Sequence, residues 1–141
     1  MAGTNATWAG NALDFLTGRA VAYTAPRSTY LALLLADPTS AAGDGTYDIT
    51  TMAEVTTPGY ARQQVVWTAP AGSPMTTANN SLLFFGPFTA DMTAPAQFAA
   101  LVTSASGTTG QVIYAWPIDD PLQAATNESL QVAAGSLTLN A

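Results

Sequence analysis

Short apolar runs separated by turn residues recur along most of the chain. Residues 30–36 form a nearly continuous apolar run that stops at Asp37-Pro38, a pattern typical of a strand buried on both faces or at an interface. Further strands are predicted at residues 60–68, 81–85, 97–103, 111–118, 129–132 and 136–139. The last two are expected to form a closing hairpin that turns at Ala134-Gly135.

The first part of the chain has a different periodicity. Residues 8–17 place Trp8, Ala12, Phe15 and Leu16 at spacings of three and four, which predicts a short helix with one apolar stripe. Gly18 follows where a helix C-cap is expected. A Trp-bearing stripe so near the N-terminus would either close the open end of the fold or dock on another subunit, and both alternatives stay open.

These elements predict an all-β fold class. No helix-sized segment separates the predicted strands, so a parallel βαβ sheet is disfavoured. Seven or eight short strands with turn signals between them indicate a single antiparallel β-sandwich or jelly-roll-like domain with a short N-terminal helix. We expect an N-terminal arm and short helix at residues 1–18 and the β-sandwich domain at residues 19–141. The polar connection at residues 38–58 is expected to project as a loop or loose hairpin.

Composition indicates a protein that assembles. Charged residues make up 9% of the chain and the net charge is −6, and a surface with so few charges lacks a usual defence against self-association. Only three arginines are present, which argues against nucleic acid and anionic membrane surfaces as partners. No apolar run approaches the roughly 20 residues of a membrane span. No basic residue precedes Arg19, so synthesis in the cytoplasm without a signal peptide is expected.

Histidine, cysteine and lysine are all absent from the 141 residues. These residue types supply most general bases, strong nucleophiles and metal ligands in proteins. We therefore expect no catalytic, cofactor-binding or metal-binding residues, no cofactor, and a protein that is not an enzyme.

The carboxylates provide little evidence for a catalytic or metal-binding site. Asp119-Asp120 is expected to be a solvated turn, because neighbouring strand residues point to opposite faces. Glu54 and Glu128 would be the carboxylate pair of a glycosidase, but nothing in the sequence brings them together. Three further carboxylates in the long connection could offer oxygen ligands to calcium: Asp37, Asp44 and Asp48. Their spacing matches no EF-hand loop. Three N-x-[ST] sequences, at Asn5, Asn79 and Asn127, are attributed to chance in a chain rich in Ser and Thr.

A family resemblance rests on five short sequence segments that occur in a fixed order along the chain. They lie at residues 11–18, at 30–34 with 36–39, at 54–55 with 59–63, at 80–81 with 85–87, and at 133–137. In this order the chain resembles a family of small structural proteins of tailed bacteriophages, described as tail-fibre-like or head-decoration proteins. The resemblance implies a compact β-sandwich that forms part of a virion, has no enzymatic activity and often assembles as a homotrimer.

The function expected first is that of a capsid decoration (cement) protein on the outer capsid surface. Its partner would be the major capsid protein, and it would stabilise the assembled lattice because it binds only that lattice. The alternative is a tail-fibre or receptor-binding domain that recognises a host surface glycan or protein, and a glycan-cleaving enzyme is a third possibility. The assembly interface is predicted at six residues: Trp8, Leu13, Phe15, Leu16, Tyr60 and Arg62.

Overall fold

A computed structural model describes residues 3–4, 9–10, 13–14, 16–19, 28–38 and 48–140. In this part of the chain all strand pairs are antiparallel, which confirms the predicted all-β class. Residues 8, 11, 12 and 15 of the predicted helix at 8–17 lie outside the described residues, so this helix stays a prediction. The strands of the described residues are β1 (Gly3–Thr4), β2 (Thr29–Leu34), β3 (Gln63–Val65), β4 (Thr76–Ala78), β5 (Leu83–Phe85), β6 (Ala96–Val102), β7 (Val112–Leu122), β8 (Leu130–Val132) and β9 (Thr138–Asn140).

The main sheet has five strands in the order β1-β7-β6-β2-β3. Its centre is the pairing of β2 with β6, which runs from Tyr30 opposite Val102 to Leu34 opposite Phe98. Both strands are rich in apolar residues on both faces, and Leu31, Leu33 and Leu34 are fully buried. The prediction of a strand buried on both faces at residues 30–36 is therefore confirmed.

Each face of this sheet borders its own core cluster. On one face, Leu31 and Leu33 pack with Leu83 and Phe85 of β5 and with Leu130 of β8. The opposite face carries a second cluster, which joins strand residues to the segment after residue 48: Ala32, Leu34, Ala100, Val102, Val112, Ala115 and Ile49. Alternate side chains of β2 and β6 thus serve two clusters, as the two-residue period of a strand requires.

The predicted closing hairpin is wrong. A turn is present, because Ser136 N–H donates to Ala133 O at 3.1 Å, but the strands on either side of it do not pair with each other. β8 pairs with β5, and β9 pairs with β4. The separate pairings place Leu130 and Leu137 in the same buried cluster, which local alternation along the chain does not indicate.

The expected turn at Asp119-Asp120 is also wrong, although both residues are exposed. They lie inside β7, which continues to Leu122. Between Ala96 and Phe98 of β6 the register shifts, and a longer stretch of β7 lies opposite a shorter one of β6. Such an irregularity bends the strand out of the ladder, so it accommodates charged residues and proline.

The connection at 38–58 does not project as expected where it is described. Leu35 N–H donates to Ala53 O at 2.7 Å, and Val55 N–H donates to Leu33 O at 2.9 Å. Ile49 and Val55 are buried. Their apolar side chains hold residues 48–58 against β2, while residues 39–47 lie outside the described part of the chain.

Candidate functional sites

A cluster of three polar side chains lies beside the end of β2. Glu54 forms a bridge to Leu34, and Arg62 immediately precedes β3. Between them, Gly59 has a φ of 95° and approaches Pro87 so closely that a Cβ there would overlap the Pro87 carbonyl oxygen. This close backbone approach, which glycine permits, sets the path of the chain into Tyr60.

Arg62 makes a two-bond contact with Glu54. Its Nε donates to Glu54 Oε1 at 2.8 Å and its Nη2 donates to Glu54 Oε2 at 2.7 Å. Nη1 donates to the carbonyl and hydroxyl oxygens of Ser104, both at 3.0 Å, and Nη2 also donates to Gly107 O at 2.8 Å. All five guanidinium N–H groups thus have acceptors, and the side chain is 4% exposed. Hydrogen bonding to Glu54 raises the pKa of Arg62.

Tyr60 completes the cluster. Its hydroxyl donates to Glu54 Oε1 at 2.7 Å and accepts the Leu33 N–H at 3.0 Å. The ring stacks parallel to Phe85, with 6.0 Å between centroids. Burial, and then the negative charge of Glu54, raise the pKa of Tyr60 above its ordinary value. The phenol therefore stays protonated, and it serves as a fixed hydrogen-bonding group.

An open depression of about 310 Å³ borders this cluster, formed by residues 54–57, 60–62 and 105–107. Both oxygens of Glu54 and every donor of Arg62 are already used within the chain. An anion in the depression would therefore find no free N–H donor on Arg62. The cluster therefore acts as an internal clip, here called the Arg62 clip, which joins residues 54, 60 and 62 to the turn between β6 and β7.

A second depression, of about 390 Å³, contains the other carboxylates of interest, Asp91 and Glu128. Asp91 Oδ1 accepts the Thr126 N–H at 2.7 Å and the Thr126 hydroxyl at 2.9 Å, and these bonds lower the pKa of Asp91. Glu128 Oε2 accepts the Ala125 N–H at 2.8 Å. Glu54 and Glu128 thus line different depressions, so the structure does not show them as a glycosidase pair.

The predicted calcium set is described only in part. Asp48 Oδ1 accepts the Thr50 N–H and the Thr50 hydroxyl, both at 2.8 Å, and the backbone bond and then the hydroxyl bond lower the pKa of Asp48. Asp44 lies outside the described residues. In the described ranges, no three or more carboxylates are grouped so as to hold a metal ion. A helix long and apolar enough to cross a membrane is also not found there.

The described aromatics near β7 are half-buried. Trp67 and Trp116 stack with their centroids 6.5 Å apart, and Tyr114 lies 4.7 Å from Trp116. The indole of Trp67 donates to Thr29 Oγ1, and that of Trp116 donates to Thr138 O. These rings pack against the first core cluster, which agrees with the expectation that most aromatics are core residues.

One sheet surface exposes apolar side chains in place of polar ones. On β5, Leu83 and Phe85 point into the core, while Phe84 is 42% exposed. Leu82, the residue before β5, is 52% exposed. Phe84 is opposite Gln131 of β8. Val66 is 51% exposed, and its carbonyl accepts the N–H of Asn80, two residues before Leu82. We call Val66, Leu82, Phe84 and Gln131 the outer face.

Of the six residues predicted as an assembly interface, the structure describes four: Leu13, Leu16, Tyr60 and Arg62. Trp8 and Phe15 lie outside the described residues. Leu13 is 62% exposed and Leu16 is 77% exposed, so both are available for contact. Tyr60 and Arg62 lie in the Arg62 clip, where their polar atoms bind groups of the same chain. Whether any of the six contacts another subunit stays a prediction.

Sequence analysis missed the role of Asn79, a buried polar residue that is 1% exposed. Its side chain accepts the Leu137 N–H at 2.9 Å and donates to Ser81 O and Ala133 O, both at 3.0 Å. In the sequence it stands in a polar Asn-Asn-Ser stretch with no signal of burial. Its amide nitrogen is occupied within the fold, which agrees with the attribution of this N-x-[ST] sequence to chance.

Comparison with known families matches nearly the whole chain. The family model described as "Podophage GP4 fiber I protein gp80" matches residues 4–140. No curated protein matches the chain. The matched range includes every strand from β2 to β9, so the match covers the fold described above and both depressions.

Proposed function

The chain belongs to the family of the podophage GP4 fiber I protein gp80, and from that premise we propose that it is a structural subunit of a fibre on a tailed-phage virion. The observation that carries the proposal is the match over residues 4–140, which includes almost the entire chain. The family is one of tailed-phage structural proteins, which supports a place for this chain in the virion.

The chemistry of the chain supports a role through contact. Histidine, cysteine and lysine are absent, and the carboxylates of Glu54, Asp91 and Glu128 accept hydrogen bonds from their own chain. A protein with this inventory has few groups with which to activate a nucleophile. We propose that it performs no catalysis and needs no cofactor.

We propose a fibre subunit in place of the capsid decoration protein that was expected first from the sequence. The family description names a fibre, and it names neither a head nor a cement protein. Decoration would require the major capsid protein as partner, whereas a fibre subunit requires neighbouring fibre subunits. Recognition of a host glycan is the narrower fibre role, and the half-buried, mutually packed rings of Trp67 and Trp116 support it less than a structural role.

Labelling of intact particles tests the proposal. An antibody raised against the purified chain, bound to gold and applied to virions, is expected to mark fibres in negative-stain electron micrographs. Label spread over the head would favour decoration and contradict the fibre proposal. Antibody against the major capsid protein on the same grids is the control for access to the head surface.

A further inference from the structure

We propose that the open depression beside the Arg62 clip binds a neutral sugar, held by hydroxyl groups on its two walls. Residues 54–57 form one wall, residues 105–107 form the other, and residues 60–62 complete the lining. The inference goes beyond the structural role proposed above, because it assigns a ligand to this surface. It does not use the packed tryptophan rings near β7.

Both walls are fixed by the fold before a ligand binds. Arg62 bonds Glu54 in one wall and the carbonyl oxygen of Gly107 in the other. The first wall is also tied to β2, because Val55 N–H donates to Leu33 O at 2.9 Å. A site whose walls are already ordered loses less conformational entropy when it binds. The depression is therefore suited to a small ligand that makes few contacts.

The charged side chains of the lining disfavour an ionic ligand. They are Arg62 and Glu54, and every N–H of the guanidinium and both oxygens of the carboxylate bond groups of the same chain. A charged ligand would lose part of its hydration in the depression without gaining a free counter-charge. An uncharged ligand is therefore favoured.

The apolar side chains of the lining disfavour a hydrophobic ligand. Val55 is 3% exposed, and the ring of Tyr60 stacks on that of Phe85, so the larger apolar groups are already used in packing. Ala61 and Ala105 are exposed. Their methyl groups offer little apolar area to remove from water, which is the driving force of hydrophobic binding.

Free hydroxyl groups on both walls indicate the class of ligand. Thr56 and Thr57 lie on one wall and Ser106 lies on the other. None of these three hydroxyls has a hydrogen-bond partner among the described residues. Each can donate and accept, as can the hydroxyls of a sugar. A sugar ring between the walls would thus be bonded from two sides.

The size of the depression agrees with a single sugar unit. Its volume of about 310 Å³ is at the lower end of the range for ligand pockets, about 300–1,000 Å³. Because it is open and offers few hydrogen bonds, we expect a dissociation constant on the order of millimolar. On the fibre proposed above, repeated copies of the site would strengthen attachment to a polysaccharide through multivalency.

Saturation-transfer difference NMR on the purified full chain tests the assignment. The probes are the methyl glycosides of glucose, galactose, mannose, rhamnose and N-acetylglucosamine, with glucose 6-phosphate and glucosamine as charged comparators. We expect at least one neutral sugar to bind and the charged comparators to bind more weakly. Thr57→Val and Ser106→Ala each remove one hydroxyl and are expected to weaken that binding about fivefold.

The matched control is Thr109→Val. Thr109 is exposed in the turn between β6 and β7 and lies outside the depression, so this variant should bind the sugar like the wild type. Thermal unfolding followed by tryptophan fluorescence should agree among Thr57→Val, Ser106→Ala and Thr109→Val, because none of these hydroxyls bonds the fold.

A wild type that binds none of the neutral sugars at tens of millimolar would overturn the assignment. Binding that both Thr57→Val and Ser106→Ala leave unchanged would also overturn it, because the sugar would then lie elsewhere on the molecule. The gold-labelling result is independent. Labelled fibres without sugar binding would reject the sugar site alone, and sugar binding with label on the heads would reject the fibre proposal alone.

Discussion

At the scale of single residues, Asn79 shows how one buried amide joins distant segments. Its side chain bonds the backbone at Ser81, Ala133 and Leu137, and its backbone N–H donates to Leu137 O at 3.2 Å while its carbonyl accepts the Gly135 N–H. A buried polar group left without partners costs free energy. Asn79 therefore holds the turn between β8 and β9 against the segment that connects β4 to β5.

We predict that Asn79→Ala lowers the free energy of unfolding by about 2–4 kcal/mol, because it leaves the buried Leu137 N–H and the Ser81 carbonyl without their partner. Urea denaturation followed by tryptophan fluorescence measures the change. Asn80→Ala is the control: Asn80 is exposed, and its backbone bond to Val66 survives the substitution, so a loss below about 0.5 kcal/mol is expected. Equal losses for the two variants would show that the buried amide has no special role.

At the scale of elements, the Arg62 clip fixes the turn between β6 and β7. Arg62 bonds Ser104 and Gly107 of that turn and, at the same time, Glu54 beside β2. An exposed pair such as Arg19 with Asp14, whose side chains are 78% and 43% exposed, stabilises little because water and salt screen it. A buried pair behaves differently once it is broken, since the remaining charge lacks a partner.

We predict that Arg62→Met destabilises the fold by about 3–5 kcal/mol and that hydrogen exchange accelerates at the amides of residues 104–110. The same substitution at the exposed pair, Arg19→Met, should cost less than about 1 kcal/mol and leave exchange in that turn unchanged. Hydrogen-exchange mass spectrometry with denaturant titration measures both effects. Unchanged exchange at 104–110 in Arg62→Met would contradict the clip.

At the scale of the whole molecule, composition controls how stability depends on pH. Without His, Cys and Lys, no side chain type present has an ordinary pKa between about 5 and 10. In that window the folded and unfolded chains bind nearly equal numbers of protons, apart from the chain termini. The free energy of unfolding is therefore expected to be nearly constant there.

Outside that window we predict losses of stability on both sides. Hydrogen bonds to Thr126 and Thr50 lower the pKa of Asp91 and Asp48 in the folded state, so their stabilisation is complete above the unfolded pKa of about 3.9 and is lost as pH falls further. Burial raises the pKa of Tyr60, so above about pH 10 the unfolded chain releases its proton first and stability falls as pH rises.

Unfolding free energies measured from pH 2 to 12 check these signs. Tyr60→Phe should reduce the alkaline decline and leave the acid decline unchanged, and Asp91→Asn should do the reverse, so each variant is the control for the other. A pronounced slope between pH 6 and 9 in the wild type would contradict the argument from composition.

Much of this molecule was predictable from local pattern. Apolar runs and alternation placed β2, β5 and β6 close to their observed positions, because the alternation of side chains is a property of the extended backbone itself. The absence of histidine, cysteine and lysine likewise limited the chemistry that this chain can perform, and that limit could be inferred without knowing the fold. The family resemblance, now supported by the match over residues 4–140, rested on the same short phrases.

Tertiary structure alone decided which strands pair and which polar residues are buried. β8 and β9 are adjacent in sequence yet pair with β5 and β4, Asn79 reaches across to Leu137, and Arg62 reaches across to Ser104. Pairing depends on how much apolar area and how many hydrogen bonds distant segments satisfy together. That total belongs to the folded chain and is not encoded in any short stretch of it.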